Sequence, residues 1–336
     1  MSLFEFILRR LISIIPVLIG VTVCIFLISH AIAGDPATMI AGQRASQETL
    51  ETIRKTHGLD RPLPEQYIIY MKGLLKGDLG NSIRNRRPVT QDLKIFFPAT
   101  LELTLASMFI CICIGLPMGI WAAVRRNKLS DHLTRVFSVI GVSTPVFWLG
   151  MMLLLVFYRY LDLLPGSGRI GIYFSAPPMV TGMYTVDALL AGDLELFRNA
   201  FQHLILPAFC LSYVYLAIVT RIVRSSMIDS LGQDYIVTAR ANGLSEMRVI
   251  GKHALKNSMI PTITIVGISV GELLGGAILT ETIFNWPGMG KYVVDSANYL
   301  DYPAIMGFAL VSSLAYVCLN LLVDVLYAVV NPQIRY

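Results

Sequence analysis

Long uninterrupted runs of apolar residues decide first what this chain can fold into. Six are read at 9–31, 98–124, 134–158, 203–224, 259–284 and 304–330. Each is long enough to cross a hydrocarbon core of about 30 Å, which takes roughly 17–25 residues as a helix. Backbone polar groups find no water there, so only helices and closed barrels span it. A barrel would show segments of about 10 residues with alternating polarity, and these runs do not alternate. The predicted class is all-α, a polytopic membrane protein with six transmembrane helices. Composition agrees: 55% of the 336 residues are hydrophobic and 15% charged, against about 25% charged in soluble domains.

Arg9 and Arg10 precede the first run, and Ala31-Ile32-Ala33 imitates a cleavage site. Secretory h-regions span only about 7–15 residues. The run Leu11–Ser29 is longer and is predicted to stay as the first span. The five cysteines (Cys24, Cys111, Cys113, Cys210, Cys318) all fall in apolar runs and are read as small buried hydrophobes. Neither a disulfide framework nor a metal-binding spacing is visible among them.

Orientation follows from Lys and Arg in the short loops. Arg9, Arg10, Arg125, Arg126, Lys128, Arg135, Arg221, Arg224, Arg240, Arg248, Lys252, Lys256 and Arg335 fall on one side. Short loops on the other side carry only Arg159, Arg169, Arg198 and Lys291. Segments of about 60 residues or more cross largely regardless of charge, so 34–97 is discounted. Both termini are predicted to be cytoplasmic. The expected organisation is an N-terminal segment with the first span (1–33), an extracytoplasmic insertion (34–97), a five-span core (98–330) and a cytoplasmic tail (331–336). Within the core, 160–202 is an extracytoplasmic loop and 225–258 a cytoplasmic one. Helical patterning is read in Gln47–His57 and Pro64–Leu75. Both long extracytoplasmic segments are either solvated linkers or docking surfaces for an external partner. The net charge of +5 reflects topology and points to no nucleic-acid partner.

Segment 225–258 is the most informative loop. Tyr235–Ala241 reads as a short helix with Tyr235, Thr238, Ala239 and Asn242 on one face. Gly243 stands where a left-handed cap belongs. Ser245 can cap a second helix with Glu246 in its first turn, carrying Arg248, Lys252 and Lys256. Such a helix–Gly–helix projection can enter a groove on another protein, whereas basicity alone describes any cytoplasmic loop.

The stretch Tyr235-Ile236-Val237-Thr238-Ala239-Arg240-Ala241-Asn242-Gly243-Leu244, followed by His253-Ala254-Leu255, resembles the "EAA" loop of the permease subunits of bacterial ABC importers. Anchored on Gly243, only Ala239 and Leu255 also match the general pattern. The closer likeness is to the T-A-R-A-x-G-L form of the dipeptide, oligopeptide and nickel permeases. Further likeness lies in Gly34-Asp35-Pro36, Gly77-Asp78-Leu79-Gly80, Pro98–Leu103, Thr280–Gly290 and Val330-Asn331-Pro332. The resemblance implies a B-type permease of the bacterial inner membrane with the type I ABC importer fold. It also implies four partners besides membrane lipid: a homologous C-type permease, two ATPase subunits and an extracytoplasmic substrate-binding protein. Asp234, Tyr235, Thr238, Ala239, Arg240, Ala241, Gly243, Leu244, His253 and Leu255 would couple to an ATPase. The cargo would be short peptides, most simply dipeptides; nickel complexes, glutathione-like or longer peptides are the alternatives.

No cofactor is expected on this chain, and none of its residues is expected to be catalytic. The nearest string to a Walker A loop, Gly288-Met289-Gly290-Lys291-Tyr292, fails its spacing, so ATP and Mg would sit on the ATPase subunits. Ionisable residues inside spans are functional candidates. Glu272, read near the middle of the fifth span between Gly271 and Gly275, is the candidate for the substrate path; a packing contact is the plainer reading. Glu102, Glu281 and Asp324 are read as interfacial or structural. Pro117, Pro145 and Pro207 are expected to kink or open spans. An ion-coupled secondary carrier would also place charge near the midplane but gives the 225–258 loop no role. An intramembrane protease lacks a paired histidine, and a bare scaffold leaves the loop without purpose.

Overall fold

The computed structural model describes residues 3–33, 45–57, 60–275 and 277–330. Gly34-Asp35-Pro36, Gly58, Gly276 and the 331–336 tail lie outside the described residues. Helices α1 (Leu3–Ala33), α2 (Gln47–His57) and α3 (Leu63–Leu75) come first; α2 and α3 lie where the patterning predicted them. Helix α4 runs Val89–Val124, starting well before its apolar run and widening into a π-turn at Cys111–Gly115, just ahead of Pro117. Then come α5 (Leu129–Ser143), α6 (Val146–Tyr160), α7 (Tyr184–Leu190) and α8 (Leu194–Leu231). The chain closes with α9 (Asp234–Ala241), α10 (Glu246–Leu274), α11 (Ile278–Ile283), α12 (Met289–Asn298) and α13 (Tyr302–Val330).

Among the described residues, α4, α8, α10 and α13 are long and apolar enough to cross a membrane, and α5 with α6, bent sharply between them, is apolar enough to make a broken fifth span or a re-entrant loop. Helix α1 adds the apolar stretch Ile12–Leu27. The run at 134–158 is therefore not one straight rod: α5 and α6 meet at 101°. Pro145 has no N–H for the carbonyl of Gly141, and its ring drives Thr144 into an extended conformation (φ −79, ψ 122). The run at 259–284 is also broken. Helix α10 ends at Leu274, where Gly275 gives little helical support, and α11 begins at Ile278. Pro207, by contrast, is accommodated inside α8.

Helix α8 is the axis of the bundle. Its 38 residues reach about 57 Å, and it is the most buried of the spanning helices. Asp193 starts it by accepting the amide of Leu196 at 2.9 Å. Small residues bring neighbours close: a Cβ on Gly119 of α4 would stand 2.7 Å from Val223. Helix α1 leans on α13 and α3, with Thr22 Oγ1 2.8 Å from the Tyr67 hydroxyl. Only Cys111 and Cys210 of the five cysteines are buried; Cys24, Cys113 and Cys318 lie on exposed helix faces, because apolar faces here need not turn inward.

Candidate functional site

At one end of α8, α9 and the start of α10 form the expected helix–Gly–helix. Gly243 adopts φ +77, which L-residues disfavour. Its amide reaches the carbonyl of Arg240 (2.9 Å), and Leu244's reaches Ala239 (3.3 Å), so the chain reverses within two residues. Ser245 occupies the predicted cap position, but its side chain makes no capping bond. Its carbonyl instead accepts the amides of Arg248 and Val249. Glu246 turns back to Arg240, 2.8 Å from Nε, and this carboxylate raises the guanidinium's pKa.

The faces of α9 correct one expectation. Ala239 does not share the outward face with Tyr235 and Thr238. It is buried with Ile236 in the main core, because the carbonyl-linked reversal brings α10 against that side. Leu244 and Leu255 also pack on that core, and His253 is half-buried. Asp234, Tyr235, Thr238, Arg240, Ala241 and Gly243 remain exposed. Two exposed apolar side chains join them that sequence reasoning missed: Val237, 62% exposed, and Met247, 85% exposed. Both sit in amphipathic context, and their hydrophobicity in a basic loop was the available signal. The outward surface thus combines an aromatic, two apolar side chains and peripheral charges, a composition that suits insertion into a partner's groove.

Glu272 lies in the last turn of α10, not mid-span, since the helix stops at Leu274. Its exposed carboxylate meets the Tyr215 hydroxyl at 3.4 Å. Gly271 is buried against the Tyr316 ring, 2.7 Å from where a Cβ would stand. Gly275 follows the helix end and is exposed. The three therefore do different things: one offers a charge, one permits packing and one ends a helix.

At the opposite end of α8, three buried carboxylates knit the loops together. Glu281 accepts Thr100 Oγ1 (2.7 Å) and the Lys291 amide (2.9 Å), while Thr100 accepts the Met289 amide (2.7 Å). Trp286 donates its indole N–H to the Ala99 carbonyl at 2.9 Å. Glu102 accepts from Arg169, which stacks on Tyr184, and from the Thr185 amide (2.7 Å). Asp187 accepts the amides of Thr181 (2.7 Å) and Gly182 (2.8 Å) and the Thr181 hydroxyl (2.7 Å). Burial pushes the Asp187 pKa up, but these donors outweigh it and hold the group below its ordinary value. Glu102 and Glu281 are structural, as the sequence suggested. Their partners were not legible, being up to 181 residues away.

Comparison with known proteins fits this geometry. Residues 115–336 match the family described as binding-protein-dependent transport system inner membrane component, and residues 3–104 match its N-terminal region. The chain is 50% identical to the probable D,D-dipeptide transport system permease protein DdpB of Escherichia coli K12, over 99% of this chain and 98% of that one. It is 43% identical to the dipeptide transport system permease protein DppB of the same strain, over 99% of each. Among solved structures, an inward-facing MetNI methionine ABC transporter shares the fold, with a TM-score of 0.51 at 18% identity over 71% of this chain and 96% of that one.

Proposed function

Because the chain belongs to the family of binding-protein-dependent transport system inner membrane components, we propose that it is the permease half of an ATP-driven importer of short peptides. Its role is passage rather than catalysis. Dipeptide systems are named for both relatives above, which favours dipeptides over nickel complexes, glutathione or longer peptides as cargo. A homologous permease completes the pathway, two ATPase subunits hydrolyse ATP, and a binding protein delivers cargo from outside. In this reading the chain makes six spans with cytoplasmic termini, and α9 faces the ATPase subunits.

One observation carries the coupling role. Helix α9 buries Ile236 and Ala239 in the bundle core while exposing Tyr235, Val237 and Thr238. A push on the outward face passes to the start of α10, against which α9 packs, and to the core that holds Ile236 and Ala239. Glu272, exposed at the end of α10, is the acidic group offered to a peptide's ammonium. Reconstitution in vesicles tests the reading: uptake requires the ATPases, ATP and the binding protein together. Uptake driven by an ion gradient alone would replace it with a secondary carrier.

A further inference from the structure

We propose that the inside of the α5–α6 bend is a water-lined stretch of the cargo path, where Arg221 and Arg135 receive the peptide's carboxylate. This rests on the importer reading and adds a location and a chemistry to it. A half-open groove of about 420 Å³ and a shallower, open recess of about 430 Å³ share Ser143. The first is walled by Arg135, Ser138 and Val142 of α5 and by Arg221 and Arg224 of α8. The second lies at the bend itself, along Thr144, Pro145 and Trp148.

Three features separate this groove from a lipid-facing furrow. The backbone at Thr144-Pro145 is outside any helix, in the interior of a segment apolar enough to span the membrane. Non-helical backbone at that depth is tolerated only within protein or beside water, and broken spans recur where transported solutes bind. Ser143 and Pro145 are nonetheless exposed in this chain, so water, a passing solute or the second permease of the proposed pair must cover that edge. The charge is also unbalanced. Asp131 accepts Arg224 (Nη2–Oδ2, 2.8 Å) and lies 3.8 Å from Arg135 Nε, whereas Arg221 has no acidic partner among the described residues. The groove therefore holds three guanidiniums against one carboxylate. Arg221 presents donors suited to a carboxylate, which guanidinium geometry matches in two-pronged fashion.

The test uses the complete transporter in vesicles. Arg221→Gln should lower ATP-driven dipeptide uptake about tenfold, the usual scale for losing one charge-assisted hydrogen bond. Arg221→Lys should retain most uptake, and both variants should copurify with the ATPase subunits. In parallel, Ser143→Cys is treated with a sulfonated, water-soluble thiol reagent, and the modified position is read by peptide mass mapping, since Cys24, Cys113 and Cys318 are also exposed. Modification at 143 is expected. Reaction with a lipid-soluble reagent alone, or with neither reagent, would overturn the groove as an aqueous path. Wild-type uptake by Arg221→Gln would overturn the carboxylate assignment. Wild-type vesicles lacking ATP-driven peptide uptake would sink the importer reading instead, and labelling would still decide whether the groove is wet.

Discussion

The loop segments at the two ends of α8 are held by opposite means. At the loop-rich end, Glu102, Asp187 and Glu281 are buried and each accepts several donors, Glu102 and Glu281 from segments distant in sequence and Asp187 from its own loop. At the α9 end, buried Asp131 ties α8 to α5 through Arg224, but α9 itself is held by one exposed pair among the described residues, Arg240–Glu246, and by apolar anchorage through Ile236, Ala239 and Val249. Buried carboxylates with directional bonds fix one geometry, since any shift strands a donor. Apolar anchors tolerate small sliding. The first end is a rigid platform, and the second seats a short helix on apolar contacts.

This contrast can be broken in four ways, from the largest effect down. Glu281→Ala strands the Thr100 hydroxyl and the Lys291 amide in a buried site, at a cost of about 3 kcal/mol. The thermal transition of the purified protein should fall sharply; an unchanged transition would mean the platform is not held by this acid. Ile236→Ala should cost about 2 kcal/mol but act locally. Uptake and copurification with the ATPases should be lost while the bulk transition moves less than for Glu281→Ala, and equal shifts would erase the distinction.

Gly243→Val should cost about 1–2 kcal/mol through its left-handed backbone alone, because a Cβ there meets no atom within 4 Å. Gly243→Asn, which tolerates that conformation, should restore ATPase binding; failure of both alike would point to contact rather than backbone. The smallest effect is acid sensitivity. With its pKa lowered on folding, Asp187 stabilises the 180–187 turn at neutral pH. That contribution fades only as pH falls below the ordinary carboxylate value toward the depressed one. Limited proteolysis should show this loop opening in that acid window in the wild type, and already at neutral pH in Asp187→Ala. A wild-type loop that opened near pH 6 would contradict the assignment.

Patterns local in sequence were legible. The apolar runs gave the class, Gly243 gave the reversal, and Pro145 marked a disrupted span. The resemblance of Tyr235–Leu244 and Thr280–Gly290 to importer permeases was confirmed by family membership. Less was legible where a residue's role depends on what faces it. The i,i+3/i+4 rule put Ala239 beside Thr238 on the outward face, yet it cannot say which edge of a helix stripe meets the bundle. Glu272 looked mid-span because α10's stop falls inside an apolar run.

The sequence by itself determined that the chain is a helical membrane protein with a helix–Gly–helix loop, because hydrophobic length and backbone conformational preference act over a few neighbouring residues. Only the tertiary structure decided that Glu281 closes on Thr100, that Ile236 and Ala239 lock α9 to the core, and that a 101° bend opens a groove beside Arg221. Those outcomes depend on burial and hydrogen-bond partners contributed by distant segments, and burial is a property of the packed bundle that no single stretch of chain carries.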